Sequence, residues 1–283
     1  MSNGITISHV NKDGIDRMLN WALKEGWSPG LDDTDAYFAT DPEGFLCLFK
    51  GNEPVSIISA VRYNDHYGFL GFYICHPDYR GMGYGKTIWD EAIKRFGART
   101  VGLDGVVEQQ DNYAKSGFAT AHSSFRYSGV MHSPTPVDSR LHPIGTGALP
   151  DICAYDRKHY PVERERFLKI WHQPENKHRF GFFALEDGKI VGYGTIRACH
   201  EGHRIGPLFA ESEEIADLLY RALCGSVQGQ TVMMDIPEPN TSANRLVERY
   251  NLNPSFETAR MYKGPAPDLP LNRIYGLTTL ELG

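Results

Sequence analysis

The sequence predicts an α/β protein of the α+β kind, with two domains that each hold a mixed, mostly antiparallel sheet flanked by helices. Three observations predict this class. Runs of β-branched and aromatic residues alternate with segments whose apolar residues recur at helical spacing. The same order of elements occurs in both halves of the 283-residue chain, which is long enough for about two domains. A content of 41% hydrophobic and 23% charged residues is typical of packed proteins.

The first half alternates clear strand and helix signals. Apolar residues from Ile15 to Leu23 recur at helical spacing and predict a helix that ends near Glu25. Further helices are expected at 88–96 and 109–115, the second ending at Ser116-Gly117. The predicted strands are 5–10, 44–49, 54–63, 67–75, 101–107 and 119–130.

Residues 131–150 change in character. Four prolines and two glycines interrupt any regular element there. We therefore expect a first domain at 1–130, a linker at 131–150 and a second domain at 151–283.

The second half repeats the element order of the first but little of its sequence. A helix is expected at 162–171, a hairpin turn at 186–188, and a helix that follows Ser212 as its N-cap. The remaining predicted elements are strands 190–198, 204–209, 232–236 and 256–262 and a helix at 242–250. Two copies of one element order indicate a duplicated fold.

Charge and cysteine usage narrow the function classes. A net charge of −6 argues against a general nucleic-acid binder, which is usually basic. Five scattered cysteines without a CxxC pair favour a reducing compartment. No apolar run of 18 residues predicts a membrane span, so we expect a cytoplasmic protein without membrane contact. The segment 199–203 holds one cysteine and two histidines, but it lies at a turn without a second ligand cluster, so no metal is expected.

The glycine-rich segment 79–87, YRGMGYGKT, follows an apolar strand and precedes a helix. Such a loop brings free N–H groups and a helix N-terminus together, which suits a phosphate. The spacing excludes two common phosphate loops. Lys86 and Ile88 stand where the dinucleotide fingerprint GxGxxG needs its last glycine. Arg80 stands where the P-loop needs its first glycine.

The segment Arg80 to Gly85 instead fits the pattern Q/R-x-x-G-x-G/A, and here the chain resembles the GNAT superfamily of acyl-CoA N-acyltransferases. The resemblance covers about residues 5–130 and includes the Tyr113-Ala114-Lys115-Ser116-Gly117-Phe118 segment. The second half resembles a divergent GNAT domain through the segment Asn240-Thr241-Ser242-Ala243 and residues 246–252, so two GNAT-like domains are expected.

The resemblance implies a binding site for acetyl-CoA. Backbone N–H groups from Gly81 to Lys86 would hold the pyrophosphate, and the end of the preceding strand would bind the pantetheine and polarise the thioester carbonyl. The implied coenzyme-binding residues are Tyr73, Ile74, Cys75, Arg80, Gly81, Met82, Gly83, Tyr84, Gly85, Lys86 and Thr87.

The resemblance also implies that Tyr113 protonates the departing thiolate. Many relatives place a glutamate on the strand before the loop, but strand 67–73 has no carboxylate. Asp104, Asp65, His66 and a water relay remain open as the base, and Asp104 is the catalytic candidate because it interrupts an apolar strand. The resemblance implies that the loop after the first helix, here 27–35, borders the acceptor pocket. Its Trp27, Asp32 and Asp33, together with His66, would suit a cationic amine.

The second half lacks the features of a coenzyme site. Its corresponding loop has no glycine and carries Glu211, Glu213 and Glu214, and Val247 stands in the place of Tyr113. We expect this copy to bind no acetyl-CoA and to shape the acceptor pocket, pack on the first domain or form a homodimer.

The sequence thus predicts acetyl transfer from acetyl-CoA to a primary amine of a small molecule, by direct attack in a ternary complex. Two alternatives stay open, a non-catalytic CoA sensor or scaffold and a transferase that uses a longer acyl-CoA.

Overall fold

The computed structural model describes residues 4–283, which form thirteen strands and eight α-helices. The strands are β1 (Ile5–His9), β2 (Phe45–Lys50), β3 (Glu53–Arg62), β4 (Tyr67–Cys75), β5 (Thr100–Val106), β6 (Ala119–Val130), β7 (Leu141–Pro143), β8 (Arg179–Glu186), β9 (Lys189–Ala198), β10 (His203–Ala210), β11 (Thr231–Pro237), β12 (Asn253–Lys263) and β13 (Ile274–Gly276). The helices are α1 (Lys12–Lys24), α2 (Asp33–Thr40), α3 (Tyr84–Phe96), α4 (Gln110–Lys115), α5 (Leu149–Asp156), α6 (Glu165–Trp171), α7 (Glu213–Cys224) and α8 (Thr241–Arg249).

Local sequence signals set several element ends. The Asn11 side chain accepts the Gly14 N–H at the start of α1, and the Asn240 side chain caps α8 in the same way. The predicted hairpin turn joins β8 to β9 through Asp187 and Gly188, both at positive φ.

All strands belong to one sheet, in the order β1-β2-β3-β4-β5-β12-β6-β11-β10-β9-β8-β7, and β13 pairs with β10. The β4–β5 and β10–β11 pairs are parallel, and the other pairs are antiparallel. The expected mixed, mostly antiparallel sheet flanked by helices is therefore confirmed.

The two halves exchange their last long strands. β12, from the second half, lies between β5 and β6, whereas β6, from the first half, lies between β12 and β11. The segments 1–130 and 151–283 therefore share one continuous sheet.

Both halves also contribute to the same hydrophobic clusters. Phe167, Leu168 and Trp171 of α6 are buried against the first-half helices α1 and α2. Ala259 and Met261 of β12 belong to the cluster beneath α3. Burial of this apolar area stabilises the arrangement of the halves in the same way as the core of a single domain.

Three segments differ from the expectations. Residues 141–143, within the expected linker, form β7 at the sheet edge, and α5 begins at Leu149. The segment 27–35, expected to be a loop, ends in the first turn of α2 at Asp33. The expected helix at 162–171 begins at Glu165. These elements are short, and tertiary contacts rather than periodicity specify them.

Two pairs of parallel strands separate partway along their length. β4 pairs with β5 only from Tyr67–Thr100 to Leu70–Leu103, and β10 pairs with β11 only from His203–Val232 to Ile205–Met234. In the second half, β13 occupies the gap, because it pairs with β10 and the Leu277 N–H donates to the Asp235 carbonyl of β11 at 2.8 Å. In the first half the gap is a cavity.

Among residues 4–283, no helix has the length and apolarity needed to cross a membrane.

Candidate active site

The cavity between β4 and β5 has a volume of about 700 Å³. Its walls are β4 from Leu70 to Cys75, the glycine-rich loop, and Tyr113 of α4. The second half closes it with Phe256 and Thr258 of β12 and with Leu280 and Glu281. The site is therefore built from both halves of the chain.

The glycine-rich loop leaves the start of α3 open. Gly81 and Gly83 have φ values of +77° and +86°, and a Cβ built on either would meet no atom within 4 Å. Gly83 occupies the N-cap position, and no side chain caps the first turn. The first N–H groups of α3 have no intrahelical partner, so this geometry suits an anion such as the pyrophosphate of a coenzyme A thioester.

Side chains of the loop fix its position. Arg80 Nε donates to the Cys75 carbonyl at 3.0 Å, and its Nη2 contacts Glu25 at 2.5 Å. Thr87 Oγ1 donates to the Gly83 carbonyl at 3.1 Å. Lys86 lines the cavity and forms an ion pair with Asp90.

Three of the implied coenzyme-binding residues have side chains outside the cavity. Met82, Tyr84 and Thr87 do not line it, and Met82 is 61% exposed. These three side chains do not border the cavity, and the backbone of the glycine residues in the loop borders it instead.

A bulge in β4 shapes the wall next to the loop. Ile57 pairs with Ile74 and Ser59 pairs with Gly71, so Phe72 and Tyr73 together oppose one residue of β3. Phe72 has a φ of +48°, which is rare for a bulky residue. A bulge re-aims the backbone of a strand, here at the wall formed by Tyr73, Ile74 and Cys75.

Cys75 is held by packing. Its Sγ lies 3.5 Å from the Val55 carbonyl, and burial raises the pKa of the thiol. A thiol with a raised pKa is a poor nucleophile.

Tyr113 lies on the cavity wall and is 7% exposed. Its ring is stacked on Trp89, with 5.3 Å between ring centroids and 21° between planes. A Cβ at Gly105 would lie 2.8 Å from the Tyr113 ring, so only glycine allows this approach. Burial raises the pKa of Tyr113, so the phenol keeps its proton near neutral pH.

Asp104 forms a buried ion pair. Arg260 of β12 donates from Nε to Oδ1 at 2.7 Å and from Nη2 to Oδ2 at 2.8 Å. Burial raises the pKa of Asp104, and Arg260 opposes this shift. Because both oxygens are engaged, the geometry argues against Asp104 as a proton acceptor and favours a structural role.

The predicted acceptor-binding residues are not brought together. Trp27 lines the cavity. Asp33 is fully buried between Arg179 at 2.7 Å and Arg197 at 3.3 Å, outside the cavity.

Asp32 and His66 also lie elsewhere. Asp32 Oδ2 accepts the His178 N–H at 3.2 Å, and His66 lies in the exposed turn before β4, at the end opposite the loop. The run of carboxylates in 32–35 is divided between a buried ion-pair cluster and the surface, which the sequence pattern does not reveal.

Glu281 is the functional candidate that the sequence did not single out. It lines the cavity and is 2% exposed. Its Oε2 accepts a hydrogen bond from the Tyr37 hydroxyl at 3.3 Å, and its Oε1 lies 3.7 Å from Arg204 Nη1 without a hydrogen bond. No motif surrounds this residue, so only the path of the segment 277–283 reveals it.

The corresponding site of the second half is closed. The Ser212 hydroxyl accepts the Ile215 N–H at 3.3 Å and caps α7. Glu213 in the first turn pairs with Arg245 and Arg249. Val247 is buried in the core. Within the described residues 4–283, no group of His, Cys, Asp or Glu side chains is arranged to hold a metal ion.

Two family models match the chain, one in each half. The acetyltransferase (GNAT) family model matches residues 13–118, and an acetyltransferase (GNAT) domain model matches residues 152–276. Relatives extend over most of the chain. Holothin acyltransferase from Pseudoalteromonas sp. (strain SANK 73390) is 33% identical, over 93% of this chain and 89% of that protein. The uncharacterized N-acetyltransferase YitH from Bacillus subtilis (strain 168) is 23% identical, over 76% of each chain.

Solved structures share the fold. A putative acetyltransferase from Pyrococcus horikoshii superposes with a TM-score of 0.82 at 19% identity, covering 100% of this chain and 97% of that one. A tandem GNAT protein from the clavulanic acid biosynthesis pathway has a TM-score of 0.62 at 13% identity, covering 93% and 99%. The sequence relatives, the paired family models and the shared fold together show that the chain belongs to the GNAT family, as a tandem GNAT acyltransferase.

Proposed function

We propose that this protein transfers an acetyl group from acetyl-CoA to a primary amine of a small molecule, by direct attack in a ternary complex. One observation carries the proposal. A single cavity joins an uncapped helix N-terminus, a bulged strand end, the phenol of Tyr113 and the carboxylate residue Glu281. An anionic thioester and a cationic amine can therefore be held in one space.

The loop and β4 suit the thioester substrate. The N–H groups at the start of α3, next to Gly81 and Gly83, would hold the pyrophosphate. The wall at Tyr73, Ile74 and Cys75 would contact the pantetheine and direct backbone donors at the thioester carbonyl.

Tyr113 is suited to protonate the departing thiolate. Its ring is held rigidly between Trp89 and Gly105, and its raised pKa keeps the phenol protonated until charge develops on sulfur.

The second half is proposed to serve the acceptor side and to bind no acetyl-CoA. Its helix α7 is capped by Ser212, and β13 fills the gap between β10 and β11. Phe256, Thr258, Leu280 and Glu281 carry this half into the cavity of the first.

A longer acyl donor is the second candidate. A relative with 33% identity is named an acyltransferase rather than an acetyltransferase, and the loop that suits the pyrophosphate does not read the acyl chain. A comparison of acyl-CoA donors of different chain length therefore decides which donor the protein prefers.

The test is release of CoA thiol with acetyl-CoA and longer acyl-CoAs across a panel of small amines. Amine-dependent release, with the acylated amine identified by mass spectrometry, is expected. Measurable CoA binding without release for any amine would overturn the proposal and favour a sensor. Calorimetry is expected to give one CoA per chain, and a second equivalent would contradict the assignment of the second half.

A further inference from the structure

We propose that Glu281 takes the proton from the acceptor ammonium, so that the second half supplies the base for a reaction whose thioester site lies in the first half. This inference rests on the proposed function and names a residue of the same site. Three observations support it: the path of the segment 277–283, the surroundings of the Glu281 carboxylate, and the ion pairs or exposure of the other carboxylates in the cavity.

The segment 277–283 connects the two clefts. It leaves β13, which fills the second-half gap, and reaches β4 in the first half. A Cβ at Gly71 would collide with the Glu281 carbonyl, so the segment passes directly against the strand.

Buried contacts of Leu282 fix the segment next to its approach to β4. The Leu282 carbonyl accepts hydrogen bonds from Tyr63 at 2.9 Å and from Tyr160 at 2.8 Å. The Leu282 side chain is buried in the α1–α2 cluster. Glu281 is therefore held in one position rather than on a loose tail.

The Glu281 carboxylate is only partly engaged in hydrogen bonds. Tyr37 donates to Oε2, while Oε1 makes no hydrogen bond and is buried. Arg204 lies nearby, but its guanidinium is chiefly bound to Asp235 and to the Trp27 and Ser28 carbonyls. A buried oxygen without a partner carries a desolvation cost that a ligand N–H can relieve.

Four carboxylate residues line the cavity within the described part of the chain. Glu25 is paired with Arg80, and Asp104 is paired with Arg260. Glu108 lies at the exposed rim. Among these four, Glu281 combines burial with an oxygen that makes no hydrogen bond and lies 3.7 Å from Arg204 Nη1. An oxygen that can still accept a hydrogen bond is what proton transfer from an ammonium requires.

The proposed step balances as follows. The Glu281 carboxylate removes one proton from R–NH₃⁺, and the neutral amine forms a C–N bond to the thioester carbon. The C–S bond then breaks, and Tyr113 gives its proton to the leaving sulfur. The tyrosinate regains a proton from the amide nitrogen, and Glu281 releases its proton to solvent.

The test compares Glu281→Gln with wild type on two acceptors, an alkylamine and an amine of low pKa that is already neutral at the assay pH. Glutamine keeps the size of the side chain but cannot take a proton. We expect kcat/KM for the alkylamine to fall by about 100-fold or more, with little change for the neutral amine and no change in CoA affinity.

Glu108→Gln is the matched control, since it removes a carboxylate from the same cavity at its exposed rim. Equal losses on both amines, or no loss on either, would overturn the role of Glu281. If Glu281→Gln does not fold, the Glu281→Asp variant tests the role of the carboxylate instead. The shorter carboxylate is expected to keep the wild-type ratio of rates on the two amines, and a changed ratio contradicts the proposal. Absence of transfer by wild type would instead refute the proposed function itself.

Discussion

The neighbours of Tyr113 hold its phenol in place on the cavity wall. Trp89 stacks on its ring, Gly105 leaves room for it, and burial raises its pKa. A rigid, protonated phenol on a cavity wall is suited to donate a proton to a developing thiolate.

Replacing Tyr113 with phenylalanine keeps the stacked ring and removes the proton. We expect kcat at saturating substrates to fall by about 100-fold, with the Kd for acetyl-CoA unchanged, as measured by thiol release and calorimetry. Tyr127→Phe, a half-buried tyrosine outside the cavity, is the control. Turnover equal to that of wild type would show that Tyr113 is not the acid.

Gly83 and Gly97 stand at opposite ends of α3, and both have positive φ. Alanine at either position is expected to cost about 1–2 kcal/mol of folding stability from backbone strain. Only Gly83→Ala places a methyl group at the start of α3, where the pyrophosphate is proposed to bind. We therefore expect it alone to weaken acyl-CoA binding, by 10-fold or more, in calorimetry. Equal affinities of the two variants would contradict the assignment of the loop as the pyrophosphate site.

At the scale of elements, the exchange of β6 and β12 decides what surrounds the cavity. β12 places Arg260 against Asp104 of β5 and brings Phe256 and Thr258 to the cavity wall. β13 fills the second gap, so two similar element orders produce one open cleft and one closed cleft. Whether a further strand enters the gap, rather than the two separating strands themselves, determines which cleft is open.

The Asp104–Arg260 pair joins β5 to β12 and is buried on both sides. Asp104→Asn leaves the Arg260 charge without its partner, so we expect a loss of about 3 kcal/mol in the free energy of unfolding, measured in urea. Asp138→Asn, which breaks a partly exposed pair with Arg140, is expected to cost much less, because solvent screens that pair.

The same Asp104→Asn variant also tests the catalytic assignment. Folded protein at low temperature is expected to keep kcat within a few-fold of wild type. A fall of 100-fold in fully folded protein would return Asp104 to the role of base.

At the scale of the whole molecule, the halves are joined by strand exchange, by α6 packed on α1 and α2, and by buried ion pairs. Arg179 and Arg197 of the second half enclose Asp33 of the first, and Arg126 of the first half pairs with Asp235 of the second. An interface of this kind resembles a core more than a contact between separate domains.

We therefore expect one cooperative unfolding transition for the full chain. Calorimetric and van't Hoff enthalpies should agree, and fluorescence and circular dichroism should report the same midpoint. Two separated transitions would show that the halves are energetically independent despite the shared sheet.

Local patterns were enough to predict much of this protein. The strand–glycine loop–helix order predicted where the loop at 79–87 meets the start of α3, because the glycines and the helix start lie together in the sequence. The Tyr113–Gly117 spacing in the first half, and the loop without glycine at 210–214 in the second, predicted in the same way that the two halves have diverged. Short elements such as α2, α5 and β7 escaped prediction because tertiary contacts, not periodicity, stabilise them.

The sequence by itself determined the fold class and the family, and it predicted the loop at 79–87 as a pyrophosphate site, because each depends on residues close together along the chain. Only the tertiary structure decided which carboxylates face the cavity. Asp33 is enclosed by arginines of the other half outside the cavity, and Asp104 lines the cavity but is bound by Arg260 through both oxygens. Glu281, which follows β13, lines the cavity with one oxygen that makes no hydrogen bond. Charge pairing and strand exchange act between residues far apart in sequence, and no local pattern specifies them.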